Sequence, residues 1–325
     1  MEKKIITITG AAGNIAYSLI FRILSGNIFP ENTKIQLNLL DIKDALPVLK
    51  GVKYEIEDCA FPNLDNIIIT DSSELAFTDS DYILLVGAKP RSKGMQRADL
   101  LLDNANIFQK HAAIINQCVS SDTKIIVVGN PANTNALIVQ NFVTNIPSKN
   151  ITSLMKLDQN RAKSILSNKL NISVSQISQL VVWGNHSATQ FPDLNHSLVS
   201  NNDVPIKSLD QKWIEDAFIP RVQKRGAEII EHRGKSSAAS AASAIYDHLY
   251  ILVNGSKDWE SMGVMMENTY GINDEIFFSF PLQVLDSNID IINGLDVSEV
   301  SMKYIKDSEK ELLMERDIIK EILTG

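Results

Sequence analysis

The sequence predicts a doubly wound, largely parallel α/β sheet followed by an α+β domain, and three observations carry that expectation. Short apolar runs alternate with helical patterns through the first half. Most of those runs lack polar alternation, as strands buried on both faces do. After about residue 155 long helical stretches take over, with only shorter β signals between them. At roughly 150 residues per domain, a chain of 325 residues suits two domains, drawn here as 1–154 and 155–325. Hydrophobic residues make up 44%, enough for two real cores, and no glycine- or proline-rich linker separates the halves.

In the first half, strands are expected at Ile5–Thr9, Ile35–Leu40, Ile67–Thr70, Tyr82–Val86, Ile125–Val128 and Ile151–Leu154. Helices are expected between them at Asn14–Ser25, Asp44–Cys59, Asp99–Val119 and Thr134–Val143. In the second half helical patterns cover Asp158–Leu170, Leu209–His232, Ser236–Val253 and Val297–Leu323, with β signals at Leu180–Trp183, Gly263–Met266 and Ile276–Phe280. The small-residue run Ser236–Ala244 reads as a closely packing helix face or as part of a cofactor site.

Composition excludes several function classes. The formal net charge of −8 comes without a basic stripe, which argues against nucleic acid. An anionic substrate would need positive charge built into its site. Residues 5–21 are uncharged and follow Lys3 and Lys4, an outward likeness to a signal peptide; Gly10, Asn14 and Ser18 break the run, which suits a strand followed by a helix. No other segment approaches the ~18 apolar residues of a membrane span. Cys59 and Cys118 read as buried free thiols of a reducing compartment, with a single disulfide as the arithmetic alternative. No Cys/His spacing suggests a metal site.

The first strand ends in Gly10-Ala11-Ala12-Gly13-Asn14-Ile15-Ala16, a G-x-x-G-x-x-A turn leading into a helix. Glycines there permit tight backbone geometry and close approach of a pyrophosphate, and the helix N-terminus presents N–H groups to it. At the head of an alternating β/α half, this is a Rossmann-type phosphate turn. Asp41, at the end of the second strand, would accept hydrogen bonds from ribose hydroxyls and repel a 2′-phosphate, favouring NAD over NADP; alternatively it merely begins a loop. Asp41 lies 31 positions after Gly10, further than the usual ~20, which suggests a loop insertion near Asn27–Thr33. Gly87-Ala88 and Asn130-Pro131-Ala132-Asn133 follow two other strands at the end where ligands gather.

His186 follows a β run, and Asp158 opens a helical one. A carboxylate on one imidazole nitrogen fixes the tautomer and stabilises the imidazolium, leaving the other nitrogen to exchange a proton with a hydroxyl. Arg161 lies three residues after Asp158, within reach of the same pocket on a helix. Arg91 and Arg97 lie in a polar Pro/Gly-containing segment after a strand end, either a lid or a solvated basic loop. His111, His196, His232 and His248 read as surface or satisfied residues.

Taken with Thr9–Phe21, Leu39–Asp41, Gly87–Leu102, Gly129–Asn135, Lys156–Ala162, Trp183–Pro192 and Arg225–Ala242, these residues resemble the NAD-dependent malate dehydrogenases of the lactate/malate dehydrogenase family, the type of eukaryotic cytosol and many bacteria. The likeness spans almost the whole chain. It implies that His186 is the proton acceptor and donor and that Asp158 orients it. It implies that Arg161 binds the C1 carboxylate, Arg97 polarises the carbonyl, Arg91 binds the distal carboxylate, and Asn130 contacts substrate and nicotinamide. It also implies NAD contacts from residues 10–16, Asp41, Asn104 and Val128-Gly129-Asn130, with Ser240 near the nicotinamide. A dicarboxylate substrate, a place in the tricarboxylic acid cycle, a cytoplasmic homodimer and no metal or membrane partner follow from the same likeness. With the glycine turn so near the start, mitochondrial targeting is not expected.

The chain departs from the family pattern at Asn14, at Gln96 and at His111, where many relatives carry Gln, Glu and Gln; these changes bear on cofactor affinity and lid motion. Three rivals remain at this point. A lactate or other 2-hydroxyacid dehydrogenase shares the chemistry but has no use for Arg91. A dinucleotide-binding protein without turnover would not need the acid–base set. An NAD- and metal-dependent glycosidase would need a Cys/His metal site.

Overall fold

The computed structural model describes residues 2–90, 97–200, 206–265, 269–273 and 275–324, without the side chains of Arg97 and Lys207. The chain divides into two compact units: Met1–Ser153 with Met314–Gly325, and Leu154–Leu313.

The first unit is built on a parallel sheet of β1 (Lys3–Thr9), β2 (Lys34–Leu40), β3 (Leu64–Thr70), β4 (Tyr82–Leu85), β5 (Lys124–Val127) and β6 (Ile151–Leu154). Their order is β3-β2-β1-β4-β5-β6, and each neighbouring pair is parallel. The direction of winding reverses between β1 and β4, which opens a crevice at their carboxyl ends. β1 and β2 stay in register through Thr9 and Leu40, so Gly10 and Asp41 emerge at the same edge.

The central strands bury Ile6, Ile8, Leu37, Leu39, Ile83 and Ile125, branched side chains that fit a pleated surface covered on both faces. The polar residues among them are paired: the Thr7 hydroxyl and the Asn38 amide donate to the Ala76 carbonyl at 2.7 and 2.8 Å. Helix α1 (Asn14–Ser25) buries Ala16, Leu19, Ile20, Ile23 and Leu24, the i, i+3, i+4, i+7, i+8 stripe of an amphipathic helix. Each buried Leu or Ile contributes about 2 kcal/mol. The other helices are α2 (Leu46–Asp58), α3 (Ser73–Phe77), α4 (Arg97–Cys118) and α5 (Ala132–Phe142), the last following a cis Asn130–Pro131 peptide. The C-terminal residues fold onto this unit: Glu315 accepts from the Thr134 hydroxyl, and the Asn141 amide donates to the Leu323 carbonyl at 2.9 Å.

The second unit is α+β. Its helices are α6 (Lys156–Leu170), α7 (Gln211–Trp213), α8 (Ile219–Arg233), α9 (Ala239–Asn254) and α10 (Glu299–Ile318). β7 (Ile177–Ser178) pairs with β10 (Leu198–Val199), and β8 (Val181–Trp183) pairs with β9 (Phe191–Asp193). β11 (Glu260–Val264), β12 (Phe278–Leu285) and β13 (Asn288–Ile291) form an antiparallel set. Trp183 is fully buried and donates its indole N–H to Asp193 at 3.2 Å.

The structure refines the sequence expectation in several places. Leu209–His232 is not one helix: α7 passes through a π-helical stretch, Ile214–Phe218, before α8, whose first turn holds Pro220, a residue without an N–H to donate. α3 and the short strands β7, β9, β10 and β13 span too few residues to show a period. Cys59 is exposed just past the last core residue of α2, Ile56, and Cys118 is half-buried; both are free, so the expected burial is corrected while the free thiols stand. Of the two readings of His248, surface or satisfied, the surface one drops out: it is wholly buried, with its pKa pushed by burial down to about 3. Among the described residues no helix is long and apolar enough to cross a membrane, and no His/Cys/Asp/Glu group is arranged to hold a metal ion.

Candidate active site

At the crevice of the first unit, β1 and β4 meet backbone to backbone. Gly10 has φ +62°, and a Cβ there would lie 2.5 Å from the Cα of Gly87. A Cβ on Gly87 would lie 2.8 Å from the Gly10 nitrogen. The Thr9 hydroxyl accepts the Gly87 N–H at 3.0 Å and latches the two turns together. The Gly13 N–H then donates to the Gly10 carbonyl at 2.9 Å, and α1 begins. Its start carries neither a side-chain cap nor an acidic residue in the first turn. The positive helix end is therefore left to an anion from outside the helix. Gly13 and Asn14 are exposed and Ile15 half-exposed, whereas Ala11 and Ala16 are wholly buried and serve packing.

Asp41 is tied to this turn. One carboxylate oxygen accepts the Ala12 N–H at 2.9 Å and the other accepts the Ile42 N–H at 2.8 Å. Each oxygen keeps a lone pair for a further donor. A cavity of about 460 Å³ runs from Gly10 and Asp41 past Gly87 to His111. Burial drives the His111 pKa down to about 4, so it lines this cavity as a neutral ring at pH 7.

Asn104 is wholly buried: its side-chain oxygen accepts the Lys89 N–H at 2.7 Å, and its NH₂ donates to the Lys89 and Asn130 carbonyls at 3.2 Å. It holds two strand-end segments in place. The N–H groups of Val128 and Gly129 both donate to the Leu85 carbonyl at 3.0 Å, and both residues are buried; Asn130 beside them is exposed. The glycine contact, the uncapped helix and the anchored carboxylate together fit a dinucleotide: close backbone approach, an anion site and a ribose acceptor.

The second unit holds the acid–base set. Asp158 sits in the first turn of α6, fully buried, with one oxygen accepting from His186 Nδ1 and the other from Arg161 Nη1 at 3.3 Å. Burial pushes the Asp158 carboxyl up, but the His186 charge and hydrogen bond, with Arg161, outweigh it and hold the group below its ordinary value. For His186, burial lowers the pKa, and the Asp158 charge and hydrogen bond overcome this, leaving it raised. The Nδ1 proton is thus fixed on the Asp158 side, which orients the ring.

Arg161 is also held through Nη2, which donates to the Ser237 hydroxyl at 3.2 Å, and α8 passes it at Gly226. Its Nε is buried without a partner among the described residues. A buried unpaired donor costs about 1–3 kcal/mol, which an incoming carboxylate would recover.

The sequence-predicted residues fall into two groups. Gly10–Ala16, Asp41, Asn104 and Val128–Asn130 gather at the crevice of the first unit; Asp158, Arg161 and His186 meet inside the second. Arg91 and Gln96 lie outside the described residues, as does the Arg97 side chain; Arg97 opens α4. Ser240 is exposed on α9. Three contributors were not anticipated: Thr9, Ser237, and Gln190, which is buried and helps hold the Asp158 carboxyl below its ordinary value. Thr9 precedes the glycine turn, Ser237 lies in the small-residue run and Gln190 falls within Trp183–Pro192, so each had a positional signal.

Comparison with known proteins covers both halves of the chain. Residues 4–152 match the NAD binding domain of the lactate/malate dehydrogenases, and residues 155–323 match their alpha/beta C-terminal domain. The chain is similar to malate dehydrogenase from Naegleria fowleri, with 41% identity, 99% of each chain covered and a TM-score of 0.96. It is also similar to Trichomonas vaginalis lactate dehydrogenase in complex with NADH and oxamate, with 33% identity, 99% of each chain covered and a TM-score of 0.94. A Plasmodium falciparum malate dehydrogenase shares the fold, with 21% identity, 99% of this chain and 100% of that one covered, and a TM-score of 0.84.

Proposed function

The chain belongs to the lactate/malate dehydrogenase family of NAD-dependent oxidoreductases, and from that premise we propose that it interconverts (S)-malate and oxaloacetate. The observation that carries the chemistry is Asp158 holding His186 with one oxygen and Arg161 with the other.

When bound, NAD accepts or returns the hydride at its nicotinamide. This chain's residues handle the proton and the charges. In oxidation, neutral His186 takes the hydroxyl proton at Nε2 while Asp158 stabilises the resulting imidazolium. In reduction, protonated His186 returns that proton to the carbonyl oxygen. Arg161, with its unsatisfied Nε, pairs with the C1 carboxylate, and Arg97 stabilises negative charge on the carbonyl oxygen. The uncapped end of α1 takes the pyrophosphate and Asp41 the ribose hydroxyls; Asn104 acts by holding Lys89 and Asn130, and Val128 and Gly129 by their backbone. Asn130 contacts substrate and nicotinamide.

Substrate choice rests on Arg91. Oxaloacetate brings two carboxylates, one for Arg161 and one for Arg91. Pyruvate brings one and leaves Arg91 unpaired. Losing one partner of a buried pair costs about 3–5 kcal/mol, roughly a hundred- to several-thousand-fold in selectivity. The likeness to the Naegleria malate dehydrogenase supports the dicarboxylate reading, and the likeness to the Trichomonas lactate dehydrogenase supports the monocarboxylate alternative. Arg91→Gln separates them: the oxaloacetate-to-pyruvate ratio of kcat/KM should collapse toward unity, and an unchanged ratio removes Arg91 from substrate reading. A cytoplasmic homodimer belongs to the same proposal by family likeness, and sedimentation of the purified chain tests the dimer.

A further inference from the structure

The segment that carries His186 is fastened by a second device besides Asp158. Gly184 ends β8 with φ +97° and exchanges two 3.0 Å backbone hydrogen bonds with Ser279. A Cβ at Gly184 would lie 2.6 Å from the Ser308 Cβ, so only glycine lets the chain pass α10 this closely. Ser308 Oγ then accepts the Asn185 N–H at 2.7 Å and lies 3.0 Å from the Thr189 hydroxyl. One turn further along α10, a single oxygen of Glu311 accepts from the Asn185 amide at 3.1 Å, from the Ser187 hydroxyl, and from the Thr189 hydroxyl at 2.6 Å. The residues immediately before and after His186 are thus tied to one carboxylate oxygen, while His186 itself is tied to Asp158.

We propose that Glu311, with Ser308, is a positioning pair that sets the placement of His186 for proton transfer. Both act through Asn185, Ser187 and Thr189, the residues that flank His186. Asp158 fixes the ring's rotation and tautomer, whereas the α10 pair fixes the backbone from which the ring projects. Proton transfer at Nε2 depends on that backbone, because an error of about 1 Å in a reacting group costs on the order of a hundredfold in rate. Three charge-assisted hydrogen bonds converging on one oxygen make the placement stiff. This inference rests on the dehydrogenase reading of His186.

The test begins with wild-type protein, NADH and oxaloacetate or pyruvate. If neither 2-oxo acid is reduced, the dehydrogenase reading itself fails. If one is, Glu311→Ala is expected to lower kcat about 10- to 100-fold. KM should stay nearly unchanged, because Arg161 is on another element, and NADH affinity by fluorescence titration should match wild type. Glu311→Gln keeps an oxygen acceptor for the same three donors and should recover most of the lost kcat. If Glu311→Ala does not fold, Ser187→Ala combined with Thr189→Val removes two of the three donors and should give the same loss of kcat at unchanged NADH affinity. A kcat within about twofold of wild type in the folded variant, or parallel loss of kcat and NADH affinity, overturns the positioning role.

Discussion

Asp158 and His186 are 28 residues apart in sequence, yet Oδ2 of the first accepts from Nδ1 of the second inside the same folded unit. Burial works against both charges, and their mutual attraction wins: the carboxyl is held below its ordinary value and the imidazole above its own. The pair is therefore most strongly ionised between an ordinary aspartate pKa of 3.8 and an ordinary histidine pKa of 6.5, and beyond the latter up to the raised His186 value.

Reduction of a 2-oxo acid needs the imidazolium, so its kcat/KM should fall as pH rises through the raised His186 pKa. Asp158→Asn removes the stabilising anion, and that fall should move to lower pH, with kcat down about 10²- to 10⁴-fold. His186→Asn should abolish turnover while NADH still binds. A pH profile unmoved by Asp158→Asn, or near-normal turnover of His186→Asn, contradicts the assignment.

Gly10→Ala meets two penalties. A positive φ costs a side chain about 1–2 kcal/mol, and the added methyl would press on Gly87 at 2.5 Å. The variant should melt several degrees lower and bind NADH more weakly. Equal melting and equal affinity would show that the β1–β4 contact yields easily.

Asp41 has two jobs, a carboxylate toward the ribose and an anchor for the Ala12 N–H. Asp41→Asn keeps an oxygen for the Ala12 N–H, gives up the bond from the exposed Ile42 N–H, and loses the charge that repels a 2′-phosphate. Its NADPH-to-NADH ratio of kcat/KM should rise about tenfold or more with little change in melting temperature. An unchanged ratio would assign Asp41 to the turn alone.

His111 is neutral in the fold, with a pKa near 4 against 6.5 in an unfolded chain. The unfolded state then binds more protons between those values, so this residue contributes stability above pH 6.5 that is lost as pH falls toward 4. The loss is up to about 3 kcal/mol. His111→Gln should be less acid-sensitive than wild type in denaturant midpoints measured from pH 7 to 5. Parallel curves for the two proteins would contradict it.

Much of this was legible beforehand because the signals were local. The Asn14–Ser25 stripe has the helical period, and the glycine turn, Asp41 and the Asp158–Arg161 spacing each lie within a short segment. What was not legible depends on contacts between distant segments. Asn185 meets Ser308 across 123 positions and Glu311 across 126, and a serine and a glutamate on a polar helix announce nothing alone. Asn104 shows the same limit from the other side. The family likeness implied a cofactor contact for it, and the fold adds that its amide is bonded to the Lys89 and Asn130 backbones. Cys59 followed an apolar helix and was expected inside, but the core-facing stripe of α2 ends at Ile56.

The most direct measurement is the loss of NADH absorbance with oxaloacetate, run beside pyruvate and beside NADPH. Rapid oxidation of NADH by oxaloacetate is expected, with pyruvate slower by roughly a hundredfold or more and NADPH a poor substitute. Equal rates with pyruvate would contradict the dicarboxylate reading, and NADH binding without turnover of either acid would contradict the dehydrogenase itself.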